Sequence, residues 1–232
     1  MRFARLYFDM KTTKFGKYWL YLLGLPKSII FNFYYFPIST AIKLPVLLSH
    51  RVYLKKLSGC VKLVVVKPGV VKIGFGDVGI FDAQKSRSIW NVTGKVVFGG
   101  RALLGHGSKI SVSGELVLGN MFTISAESTI VAEHQVVFGD NVMLSWDILI
   151  MDSDIHSVFD KSNNLVNPCR PICIGDNVWI GCRSLILKGS VVADGVIVAA
   201  GTKIAGKVES NNSIISNNSA VQLLKEEVFW LR

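Results

Sequence analysis

His156 stands in the run Asp152-Ser153-Asp154-Ile155-His156. An imidazole that titrates near neutrality can take a proton from a hydroxyl and hand it on, and a neighbouring carboxylate can fix its tautomer and raise its basicity. Asp147, Asp152 and Asp154 are the candidate partners. The residues alone leave two roles open for the histidine, a general base or a turn residue bonded to its own loop. The aspartates likewise read as ring partners or turn caps. Glu127 is a further acid within the repeat, equally readable as an ordinary surface carboxylate. Cys182 has no histidine near it in sequence and reads as a small coil-lining thiol rather than a nucleophile. Trp179 is too wide for an interior corner, so it covers a ligand groove or subunit interface, or packs on the outside. His106, His134 and His156 are 28 and 22 residues apart, and none of the four cysteines forms a CxxC pair. No metal site is expected.

The elements that must position these groups are legible as a period. From Ile174 an apolar β-branched residue returns every six positions, at Ile174, Ile180, Ile186, Val192, Val198 and Ile204. A helix returns at three and four and a flat strand at two, so the pattern predicts short strands joined by tight corners, with one aliphatic per face stacked on its equivalents. Three faces make a coil of eighteen residues. The pattern extends upstream through Val112, Leu118, Ile124, Ile130 and Val136, then re-registers by two at Phe138, Leu144 and Ile150, predicting an irregular coil or bulge there. Between Ile150 and Ile174 the phase is kept, but positions 156, 162 and 168 carry no aliphatic, so residues 151–173 leave the coil as a loop. Loops on a rigid scaffold are where chemistry tends to be placed.

The chain has 232 residues, half of them hydrophobic, and a net charge of +10. This composition excludes a disordered chain. Residues 1–60 hold ten Lys/Arg against one acid, Asp9, interleaved with Trp19, Leu22, Ile29, Phe31 and Tyr34. Such a segment reads as a cap on the open end of the coil or as a contact with an anionic membrane surface. No nucleic-acid reading motif accompanies it, and no nucleic-acid partner is expected. Tyr18 to Ile38 is interrupted by Gly24, Pro26, Lys27, Asn32 and Pro37, so no membrane span is expected, and no signal peptide is apparent. The expected location is cytoplasmic, and the membrane reading of this segment would place the chain at the inner face of the membrane.

Three stretches carry a resemblance: Ser145-Trp146-Asp147 leading into Ile150 to His156; Pro171 to Cys182; and Ile186-Leu187-Lys188-Gly189-Ser190. In these the chain resembles the hexapeptide-repeat acyltransferases, in particular the capsular and cell-envelope polysaccharide O-acetyltransferases. The resemblance implies a left-handed parallel β-helix assembled as a homotrimer, with acetyl-CoA as co-substrate in a cleft between two subunits. It implies His156 as general base and backbone around Gly181, Cys182, Ala199 and Ala200 along the pantetheine arm, with Trp179 shaping the cleft. Asp154 or Asp147 would orient the ring. Relatives often end the coil with Gly-Asn-Pro-Ala-Lys; here the stretch reads Asn217-Asn218-Ser219-Ala220-Val221.

The expected organisation is therefore an amino-terminal cap at 1–60, a repeat domain at 61–221 and a carboxyl-terminal helix at 222–232. The expected activity is transfer of an acetyl group from acetyl-CoA to a hydroxyl of a sugar or envelope polysaccharide precursor; the basic and aromatic residues at one end suit a lipid-linked glycan precursor or a nucleotide sugar. N-acetylation of an amino sugar and a non-catalytic β-helix scaffold are the alternatives.

Overall fold

The computed structural model describes residues 14–83, 85–217 and 221–225. Its body is a left-handed parallel β-helix of three sheets: sheet A has nine strands, and sheets B and C have seven each. The first coil is β1 (Val46–Leu48) in A, β2 (Tyr53–Lys56) in B and β3 (Cys60–Leu63) in C; β4 (Val71–Phe75) then pairs with β1. Coiling thus begins inside the segment read from sequence as cap.

Alternate residues of each strand point inward. Along sheet A the register stacks Leu104, Ile124, Leu144, Ile180, Val198 and Ile215, all buried. Each such side chain contributes about 1.5–3 kcal/mol of burial, so the stack explains why the period is so strict.

Leu104 faces Ile124 and Ile124 faces Leu144, so the upstream coils take twenty residues; Ile180 faces Val198, and from there a coil takes eighteen. The extra pair sits in sheet B, whose upstream strands bury a second residue: Val92, Val112, Ala132 and Asp152 follow Trp90, Ile110, Ile130 and Ile150. The two-residue step expected as a local irregularity near Phe138 is therefore a property of each of these coils.

Helix α1 (Lys14–Tyr35) closes the amino-terminal end. Three of the residues that interrupt its apolar run, Gly24, Lys27 and Asn32, together with Ser28, attach it to β1 and the turn that follows. Asn32 Nδ2 donates to Val46 O at 2.7 Å while its Oδ1 accepts the Val46 N–H, and Ser28 Oγ accepts the Leu48 N–H at 2.8 Å. Lys27 Nζ donates to the carbonyls of His50 and Val52. A Cβ on Gly24 would lie 2.0 Å from Leu48 O, so only glycine permits this approach. Phe31 is fully buried, edge-on to Trp90. An open sheet edge presents unpaired backbone groups, and α1 satisfies them with side chains. No described helix is long and apolar enough to cross a membrane.

At the other end, Val221–Lys225 forms β23, antiparallel to β22 (Ile214–Asn217). The helix expected over 222–232 is thus a strand through Lys225, because the last edge of sheet A needs a backbone partner. Residues 218–220, within the altered terminal motif, and 226–232 lie outside the described residues.

Candidate functional site

The loop leaves the coil after β14 (Leu149–Met151) and returns at β15 (Ile172–Ile174), at the edge between sheets B and C. One coil earlier, Ala132 O receives the N–H groups of Ser113 and Gly114. At the point of departure the corresponding carbonyl, Asp152 O, is taken by Arg170 N–H. The fully buried Asp152 carboxylate replaces it: one oxygen accepts Glu133 N–H and the other His134 N–H, each at 2.8 Å. Asp152 therefore closes the previous turn, and its side chain does not serve the imidazole.

Two residues on, Asp154 Oδ2 accepts Lys188 Nζ at 2.5 Å and Asn167 Nδ2 at 2.9 Å. Asn167 Nδ2 also donates to His156 O at 2.8 Å, and His156 N–H donates to Asp154 O at 2.6 Å. Lys188 further donates to Asn167 O. The Lys188 ammonium first, then the Asn167 amide, hold the Asp154 carboxyl below its ordinary value. This network fixes the backbone on both sides of His156, whose side chain is exposed. Among the described residues no carboxylate bonds to the ring, so neither Asp154 nor Asp147 orients it through a direct contact within the chain.

Asp147 belongs to a different edge, between sheets A and B. There Glu127, Asp147 and Arg183 share left-handed backbone (φ 47°, 54° and 60°) with Gly107 and Gly201, and Arg183 Nε lies 3.9 Å from Asp147 Oδ2. Glu127 is held by Lys109 at 3.2 Å and by Ser86. The other expected residues gather on this edge too. Trp179 Nε1 donates to Ser145 Oγ at 3.0 Å, pinning the indole on sheet A. Gly181 N–H donates to Val198 O, and Cys182 O accepts from Gly201 N–H. A Cβ on Gly181 would meet Val198 O and Ala200 N at 2.7 Å, so this close stacking of Gly181 and Cys182 on Ala199 and Ala200 requires glycine. The structure thus assembles two groups, one around His156 on the B–C edge and one around Trp179 on sheet A and the A–B edge.

The sequence offered no role for Lys188 or Asn167, and it offered Asp152 as a ring partner where the fold uses it to cap the amides of Glu133 and His134. The only available signal was the quoted run Ile186 to Ser190, since Asp154 and Lys188 lie 34 residues apart. No group of three His, Cys, Asp or Glu side chains that could hold a metal ion occurs among the described residues.

Residues 174–206 match the family described as bacterial transferase hexapeptide (six repeats). The matched residues lie within the three-sheet coil and share its six-residue period. Among solved structures it is similar to the polySia-specific acetyltransferase NeuO, at 18% identity over 79% of this chain and 90% of that one, with a TM-score of 0.47. It is similar to the polysialic acid O-acetyltransferase OatWY, at 18% over 81% and 87%, with a TM-score of 0.44. It is also similar to AntD, an N-acyltransferase from Bacillus cereus in complex with dTDP and 3-hydroxybutyryl-CoA, at 15% over 78% and 80%, with a TM-score of 0.43. No curated protein matches the sequence.

Proposed function

We propose that this chain is an acetyl-CoA-dependent O-acetyltransferase acting on a hydroxyl of a sugar or cell-envelope polysaccharide precursor, with His156 as general base. The observation that carries the reading is an exposed imidazole on a loop tied down by Asp154, Asn167 and Lys188. A base held in one geometry removes a proton without first ordering its loop.

His156 takes the proton of the acceptor hydroxyl as its oxygen attacks the thioester carbonyl. The new C–O bond forms, backbone N–H groups steady the oxyanion, and the C–S bond breaks. The imidazolium then returns its proton to the coenzyme A thiolate. Asp154 acts as a positioning residue, through the backbone of His156 rather than its ring.

The Trp179 group lies on another edge of the prism from His156, so a second copy completes the site. In a homotrimer with its axis along the coil, a third of a turn brings the B–C loop of one copy to the A–B edge of the next. That edge would present Asp147, Trp179, Gly181, Cys182, Ala199 and Ala200 to the donor.

We also propose that α1 lies on an anionic membrane surface. Tyr18, Leu22, Ile29, Ile30, Phe33 and Tyr34 are 42–68% exposed along it, and residues 1–60 of the sequence carry ten Lys/Arg against one acid. An interfacial helix of this kind inserts its apolar face among headgroups without crossing.

Calorimetric titration of acetyl-CoA into the wild type and His156→Ala tests the enzymatic reading. Equal binding by both, with transfer to sugar hydroxyls only by the wild type, is the expected result. Absence of donor binding by correctly assembled protein would favour a scaffold.

A further inference from the structure

A cavity of about 490 Å³ opens beside the first turns of α1, away from the His156 loop. This is within the size range of small-molecule sites. Its walls include Leu20 and Tyr21 of α1 and Phe75 of β4, and its cations are Arg51, Lys72 and Arg101. Tyr21 packs on Phe75 with ring centroids 4.7 Å apart. Lys72 Nζ donates to Tyr21 Oη at 3.1 Å. Among the described residues none of the three cations forms an ion pair, and the one acid in the lining is Asp77. Excess positive charge over apolar walls suits a ligand with an anionic head and an apolar body.

The position of the cavity says which ligand. Leu20 and Tyr21 turn into it, whereas Tyr18, Trp19 and Leu22, on the same helical turn, face outward and are 43–68% exposed. A helix lying in the headgroup layer would place the cavity mouth at phosphate depth. We propose that the cavity is a binding site for the phosphate head of a lipid, held by Arg51, Lys72 and Arg101. Arg101 precedes β7 (Ala102–His106) in sheet A, and three strand spacings, roughly 14 Å, separate that strand from the one bearing Trp179. A lipid-linked glycan phosphate seated here would extend along sheet A toward the transfer site. The head-group site rests on the membrane reading of α1, but it is separable from it by experiment.

The test compares full-length wild type with Arg51→Gln/Lys72→Gln/Arg101→Gln and with a charge-matched control, Lys43→Gln/Lys55→Gln/Lys56→Gln, whose lysines are exposed outside the cavity. Co-sedimentation uses phosphatidylcholine vesicles with and without phosphatidic acid, and thermal melts verify folding. Partition to phosphatidic acid vesicles should fall at least about tenfold further in the cavity variant than in the control, as expected for direct charge-assisted contacts; equal losses overturn the site. Titration of soluble dihexanoyl phosphatidic acid separates the two ideas. If wild type binds no vesicles but binds this lipid, and the cavity variant does not, the site stands and the membrane reading falls. Inorganic phosphate or a nucleoside diphosphate binding as tightly as the short lipid would overturn the assignment to a lipid.

Discussion

Lys188 Nζ lies 2.5 Å from Asp154 Oδ2 and pins the loop of one coil to the corner of the next, 34 residues away in sequence. Because the lysine and Asn167 depress the carboxyl's titration, the folded state binds fewer protons than the unfolded state through the interval between the two pKa values. The contact is present above the ordinary carboxyl value of 3.8 and is lost as pH falls below it through the folded value. The protection of amides 155–167 against hydrogen exchange, relative to their intrinsic rates, should therefore fall in acid before that of the coil amides does. Lys188→Met should produce the same loss of protection at neutral pH; unchanged protection would remove the anchoring role.

His156→Ala should lower transfer by about 10²–10⁴-fold, the usual contribution of a positioned base. Donor affinity and melting temperature should be almost unchanged, because the ring is exposed and the loop is held through backbone groups. Steady-state kinetics with a saturating donor checks this, and residual activity near wild type would reassign the base.

Asp152→Ala strips two buried amides, those of Glu133 and His134, of their acceptor. Loss of charged hydrogen bonds with burial of unpaired donors should cost about 3 kcal/mol, and Asp152→Asn, which keeps one acceptor oxygen, about half as much. Urea unfolding gives both values. A loss under about 0.5 kcal/mol in the alanine variant would contradict the capping role.

Two glycines give opposite expectations. A Cβ at Gly114 would fall 2.2 Å from His134 O, backbone that cannot step aside, whereas no atom of the described residues lies within 4 Å of one at Gly206. Gly114→Ala should lower the urea midpoint clearly, by an amount equivalent to about 2 kcal/mol or more. Gly206→Ala should leave it unchanged or raise it slightly through the unfolded chain's entropy.

From Ile174 onward the repeat was legible in the chain, since each core aliphatic recurs at a spacing that neither a helix nor a flat strand produces. Ile180, Ile186, Val192 and Val198 were placed correctly from that spacing alone, and their burial is the reason for it. The loop was visible as an interval with the phase kept but the aliphatics missing. Coil length was read less well. A coil of twenty residues differs from one of eighteen only by a second buried residue in sheet B, and in a chain that is half hydrophobic Val112 and Ala132 look like any other apolar residues.

Residue chemistry in sequence also singled out His156, but not what holds it. Asp152, Asp154 and Asp147 were equivalent as letters; the fold buried the first, tied the second to Lys188 and put the third on another edge. Gly24, Lys27 and Asn32 were read as reasons against a membrane span, and only the packed helix showed Asn32, together with Ser28, completing the edge of β1. Periodic burial is local and repeats, so one strand's pattern predicts the next. Hydrogen bonds and ion pairs between distant residues depend on which corner each residue reaches, and that is decided only when the coil closes.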